Sequence, residues 1–101
     1  MPTPLSLHTD RQEDGSSVLT AVGELDMSNI AAFSEAVGAA VGSDGQALLV
    51  DLSAVDYLDS GAINVLFDYA ESIELLVNPV LLPVLTVSGL TRVTIVKPAG
   101  G

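Results

Sequence analysis

Between Leu48 and Leu66 the chain changes its hydrophobic period from that of a strand to that of a helix. Leu48-Leu49-Val50-Asp51-Leu52 is a nearly unbroken apolar run, the pattern of a strand buried on both faces. A short polar loop is expected after it. From Ala62 the apolar residues return at Ile63, Val65 and Leu66, which is helical spacing. Ser60 stands just before that pattern and reads as an N-cap, because its side-chain oxygen can accept an amide hydrogen of the first turn. A hydroxyl is thereby set at the mouth of a helix, just past the end of a central strand. Open α/β sheets keep their function at such places.

The rest of the chain is fitted around that strand and helix. Leu5 to His8 alternates and reads as a short strand, with His8 facing solvent and Met1 to Pro4 a frayed end. Asp14-Gly15 is a hairpin signal, and Val18 to Leu25 is the second strand, with Leu19, Ala21 and Gly23 on one face. Met27 to Val41 shows helical spacing at Ile30, Phe33, Val37 and Val41, with Asp26 or Ser28 as its cap and Gly42 as its C-terminal stop. Gly42 to Gln46 is a loop. Ile73 to Val77 is a fourth strand. Asn78-Pro79 reads as an N-cap followed by proline at the first helical position. The last helix, Val80 to Val87, contains Pro83, which crowds the preceding turn and predicts a short or kinked element. Ser88-Gly89 stops it, Arg92 to Val96 is the final strand, and Lys97 to Gly101 is a loose tail. Strands alternating with helices predict an α/β fold in one domain. Its sheet is mixed but mostly parallel, with helices packed against it.

Composition removes several classes of function. There is no cysteine, so disulfides, thiol chemistry and cysteine metal sites are excluded, and the single His8 cannot form a histidine cluster. The net charge is −10, with Arg11, Arg92 and Lys97 the fixed cations. Nucleic acid and anionic membranes are therefore poor direct partners, since both need Lys and Arg; the acids either attract a basic protein surface or simply keep the domain soluble, and charge alone does not choose. Ile73 to Val87 is the longest apolar tract, but Glu74, Asn78, Pro79 and Pro83 make it a poor membrane span. No basic segment precedes an apolar one at the N-terminus, so no secretory signal is read and a cytosolic location is expected.

Few residues are left to carry chemistry. Ser60 as a nucleophile needs a base, but no Lys lies near it, His8 is in the first strand, and the surroundings are not Gly-x-Ser-x-Gly. Asp26, Asp51, Asp56 and Asp59 lack calcium-loop spacing. With Asp51 at a strand end and Asp56 in a loop, they read as solvated turn residues, and no metal is expected. No phosphate-cradling glycine loop or cofactor motif occurs, so the chain reads as a non-enzyme without cofactor. Two readings of Ser60 stay open on the residues alone: a plain N-cap, or a phosphorylation site. The second fits a helix N-terminus, where free amide hydrogens and the helix dipole receive a phosphate, and Gly61 leaves room for a kinase.

Gly23-Glu24-Leu25-Asp26, Val50-Asp51-Leu52-Ser53, Leu58-Asp59-Ser60-Gly61, Asn78-Pro79 and Ser88-Gly89-Leu90 occur in the order seen in STAS domains, and from the second strand to the last the chain resembles that family. The family covers sulfate transporters and anti-sigma factor antagonists, and small free-standing members look like the latter. The resemblance implies a bacterial regulator of sigma-factor-dependent transcription. It would bind an anti-sigma factor with serine kinase activity when unphosphorylated and be released when that kinase phosphorylates the serine after the aspartate. Ser60 matches that serine, Asp59 the aspartate, and Asp26 an acid beside the phosphorylation loop. The chain departs from the family's Asp-Ser-Ser-Gly or Asp-Ser-Thr-Gly in placing Gly61 at the second hydroxyl and Ala62 at the glycine. The segment Asp68 to Ile73 is also short, which predicts a shortened helix after Ser60. The alternative is a STAS scaffold without a switch, a subunit of a transport or stress-signalling assembly, in which Ser60 is only a cap.

Val80, Leu81, Leu82, Val84, Leu85 and Val87 are apolar nearly all round their helix. Such a helix is either deeply buried or exposes a contact patch, and part of it is expected to form a homodimer interface or a second edge of the partner site.

Overall fold

The computed structural model describes residues 5–41 and 46–100. The hairpin expected at Asp14-Gly15 forms: β1 (Ser6–Arg11) pairs antiparallel with β2 (Ser17–Leu25), Arg11 lying opposite Ser17. Asp14 Oδ1 accepts the Ser16 amide hydrogen at 2.9 Å and closes the turn. β2 alternates as predicted, with Leu19, Ala21 and Leu25 wholly buried. The chain continues through α1 (Ile30–Ala40), β3 (Leu48–Leu58), α2 (Ser60–Asp68), β4 (Ile73–Val77), α3 (Leu82–Ser88) and β5 (Ile95–Pro98). Short 3-10 turns at Ala70–Ser72, Pro79–Leu81 and Leu90–Arg92 join the later elements.

The result is a single α/β domain whose five strands lie in the order β1-β2-β3-β4-β5, parallel except for β1. Each crossover steps to the next strand in the same direction. Crossovers of this kind take one hand, so all three helices fall on the same side. Burial agrees with that. Leu48, Val50 and Leu52 of β3 and Ile73, Leu75 and Val77 of β4 point under the helices, where they meet Phe33, Val37, Leu66 and Leu85.

Several expectations change. β3 is buried on one face only: Leu49, Asp51 and Ser53 alternate with the core residues and are half-buried. The polar loop expected after Leu52 is strand. β3 runs on to Leu58 through two register shifts against β2, so Asp51 lies within a strand rather than at its end, and Asp56 in a strand rather than a loop. Each shift adds a residue on β3, which breaks the two-residue alternation that marks a strand in sequence. The second falls beside Gly23, whose φ of +120° is strained for any residue with a Cβ. That accounts for the glycine of Gly-Glu-Leu-Asp.

α1 begins at Ile30, three residues later than its periodicity suggested, and its end at Val41 leaves the expected Gly42 stop outside the described residues. Pro83 is accommodated because α-helix starts only at Leu82, which puts the proline in the first turn, where its missing amide hydrogen costs nothing. Gly89, in the left-handed region at φ +89°, ends that helix as expected. The last strand begins at Ile95, not Arg92. It takes in Lys97 and Pro98 from the predicted tail, and Ala99 donates to the Val77 carbonyl at 2.7 Å.

Candidate functional site

Parallel strands that all point one way bring the turns after them to one rim. The turns after β2 and β3 carry every site residue read from the sequence, and the turn after β4 stands level with Leu52, six residues before β3 ends. The Asp59 amide donates to the Leu25 carbonyl at 3.0 Å, tying the mouth of α2 to the end of β2, one residue before Asp26. The Asn78 amide donates to the Leu52 carbonyl at 3.3 Å. A Cβ on Gly61 would lie 3.5 Å from Ile30 Cγ1, so the first turns of α1 and α2 pack directly against each other. Asp26, Asp59, Ser60 and Gly61 are thus brought to one edge.

The N-cap of α2 is Asp59, not Ser60. Its Oδ1 accepts the Ala62 amide hydrogen at 3.0 Å from an extended backbone, φ −92° and ψ 178°. Its carbonyl accepts the Ile63 amide hydrogen at 3.2 Å. Ser60 is the first helical residue and is exposed. Among the described residues nothing bonds its hydroxyl. The amides of Ser60 and Gly61 belong to the group a helix leaves without internal partners. A side chain at Gly61 would crowd Asp59 Oδ1 at 3.3 Å, so the glycine also protects the cap.

Asp26 is held differently. Its Oδ1 accepts both the amide hydrogen of Ser28, at 2.9 Å, and the Ser28 hydroxyl. These bonds, the hydroxyl first, pull its carboxyl below the usual aspartate range. It does not cap α1, nor does Ser28. Asn29 occupies the cap position with no side-chain bond to the helix. Asn29 acts backwards instead: its Oδ1 accepts the Asp26 amide hydrogen at 3.1 Å and its Nδ2 donates to the Glu24 carbonyl at 2.8 Å. Sequence reasoning missed Asn29, though an Asp-x-Ser-Asn run after a strand is a turn signature. It also missed Met27, which follows Asp26 and is 86% exposed at the rim.

After β4 the expected cap forms, Asn78 Oδ1 accepting the Val80 amide hydrogen at 3.2 Å, but on a 3-10 turn. Of the six apolar residues expected at an interface, Leu81 and Leu85 are buried in the core and Leu82 is half-buried. Leu81 and Leu85 cannot serve as contact residues without unfolding the segment. Val80, Val84 and Val87 are exposed. Among the described residues no three His, Cys, Asp or Glu side chains gather closely enough to hold a metal. No described helix is long and apolar enough to cross a membrane.

The family model described as Mlab, STAS domain, matches residues 8–97. The anti-sigma-F factor antagonist RsfB of Mycobacterium tuberculosis is 38% identical over 65 residues in two strains, covering 64% of this chain and 53% of that protein. The match thus spans about half the length of those curated relatives. Among solved structures, an anti-sigma factor antagonist from Mycobacterium paratuberculosis superposes with a TM-score of 0.84 at 27% identity, covering 99% of this chain and 92% of that one. The anti-sigma factor antagonist SpoIIAA in its unphosphorylated form superposes with a TM-score of 0.71 at 16% identity, over 91% and 88% of the two chains, a likeness of fold.

Proposed function

This chain belongs to the STAS domain family, and from that premise we propose that it is an anti-sigma factor antagonist switched by phosphorylation of Ser60. Unmodified, the rim formed by Asp26, Asp59, Ser60 and Gly61 binds an anti-sigma factor that is also a serine kinase, and so frees a sigma factor for transcription. On this reading the chain is a cytoplasmic binding module that performs no catalysis of its own. The names of its relatives and structural neighbours support the coarse function. The observation that carries the switch is that Asp59, not Ser60, caps α2, leaving an exposed hydroxyl that owes nothing to the fold.

The chemistry is supplied by the partner. The Ser60 oxygen attacks the γ-phosphorus of the nucleoside triphosphate held by the kinase and loses its proton. The nucleoside diphosphate leaves. The Ser60 and Gly61 amide hydrogens and the positive end of α2 receive the new group. It brings about −1.5 to −2 charges to a surface that already carries Asp59. A partner that docks on the neutral hydroxyl must then desolvate a dianion beside a carboxylate, and the complex weakens. Exposed Val80, just past Asn78-Pro79, extends the contact area, with Val84 and Val87 along α3 as its outer edge. The homodimer reading loses its core residues to burial.

Calorimetry of the purified pair tests the switch. The unmodified chain binds, stoichiometrically phosphorylated chain binds at least about tenfold more weakly, and Ser60→Asp falls between them because a carboxylate copies a dianion poorly. Equal affinity of phosphorylated and unmodified protein overturns the switch and favours a scaffold in which Ser60 is silent.

A further inference from the structure

The start of β3 is written in the sequence as a strand covered on both sides, yet the described residues cover only one. In a one-sided sheet the solvent face is expected to be polar. Here the registry puts Val18 beside Leu49, Val22 beside Ala54, and Leu76 and Ile95 on the same face of β4 and β5. Val22 and Ile95 are 42% and 52% exposed, so no described helix covers them. The same face carries Asp10, Glu24, Asp51 and Glu74, against Lys97 and His8, whose Nε2 lies 3.0 Å from Asp10 Oδ2.

We propose that this helix-free face is a docking surface for a basic amphipathic helix of a partner protein, separate from the Ser60 rim. The apolar residues give the helix a floor, and the carboxylates select its flanks. A second copy of this chain would set the four acids against the same four acids within a pair already carrying −10 on each member, which disfavours stacking of two such faces. An anionic bilayer is repelled for the same reason. A helix fits the dimension. The step from β1 to β5 is about 19 Å at ~4.8 Å per strand, which a helix of about 13 residues crosses at ~1.5 Å per residue. Arginine on its flanks suits Asp51 and Glu74, because a planar guanidinium pairs bidentately with a carboxylate. The surface remains available whether or not Ser60 carries phosphate, so one molecule can hold two partners.

Backbone amide NMR of the isotope-labelled chain, titrated with a synthetic Leu/Lys amphipathic peptide of about 14 residues, tests this. Shifts should concentrate on β2 to β5 at Val18, Val22, Leu49, Leu76 and Ile95, while a Leu/Glu peptide of the same pattern leaves them unmoved. Ile95→Lys and Val22→Lys, at positions already in water, should keep the native spectrum and weaken the Leu/Lys peptide at least about tenfold. Shifts centred instead on the rim or on α3, or affinity unchanged in both variants, overturn the proposal. So does sedimentation showing a wild-type dimer that Ile95→Lys dissociates, since the occupant would then be a second copy.

Discussion

Two aspartate–serine pairs stand at the same rim and do opposite things. In Asp26–Ser28 the residues are two apart, so the carboxylate reaches both the amide and the hydroxyl of the serine and closes a tight turn. In Asp59–Ser60 they are adjacent. The carboxylate reaches forward over the serine to the Ala62 amide, and the hydroxyl is left in solvent. Asp51–Ser53 and Asp14–Ser16 repeat the first arrangement, with hydroxyl-to-carboxylate distances of 2.6 Å. One residue of spacing thus separates a serine used as structure from a serine left over for chemistry. Availability at this rim is set by what the neighbouring acid is already holding.

The contrast breaks most sharply under a kinase. Ser60→Ala is expected to abolish phosphate incorporation by the cognate kinase, and Ser28→Ala to leave it intact. Mass spectrometry that finds the phosphate on Ser28 would reverse the assignment of the two serines. Asn29 tests the braced turn. Its replacement by alanine removes bonds to the Asp26 amide and the Glu24 carbonyl, at about 1 kcal/mol each, so chemical denaturation should show a loss of about 2 kcal/mol. Asp59→Ala removes the α2 cap and should cost about 1 kcal/mol, or about 4–8 °C in melting temperature for a domain of this size. The Ser60 hydroxyl stays chemically intact in that variant.

The smallest effect is in titration. The Asp26 carboxyl lies below its ordinary value because Ser28 bonds its charged form. Its contribution to stability is therefore complete above the usual aspartate range and is lost as pH falls through the depressed value. Ser28→Ala should move the Asp26 carboxyl resonance back toward an ordinary aspartate and flatten the acid limb of stability.

The alternating elements were legible because their patterns were unbroken: Ile73–Val77 lies where its sequence said, and Leu19 and Ala21 face the core. The second half of β3 was not legible. Two inserted residues stretch the core spacing from Leu52 to Val55 and from Val55 to Leu58 to three, and a strand that loses its period of two reads as loop. The start of α1 was misjudged because Asp26, Ser28 and Asn29 compete with the helix for the same backbone groups, a competition that periodicity does not register. The residues proposed for the site lie together at one rim, but the cap was given to the wrong one. Either Asp59 or Ser60 has the chemistry to cap, and only the backbone at Asp59, extended while Ser60 is already helical, decides between them. Leu81 and Leu85 were assigned to an interface because every residue around them is apolar, which says that a helix is greasy but not which stripe faces inward.

The strand order has a bearing on how the molecule comes into being. Every strand pairs with its immediate predecessor in the chain, so none must wait for a segment synthesised later. Long-range pairing is what slows folding and leaves edges exposed to aggregation. Here a growing polypeptide can lay down the hairpin, then add each helix-and-strand unit to the edge just made. Among the described strands, β1 and β5 are the two paired on one side alone. Once Leu58 has emerged from the ribosome the β1-β2-β3 sheet can pair, and the rim with Ser60 is complete only once α2 has emerged to set its mouth against Ile30.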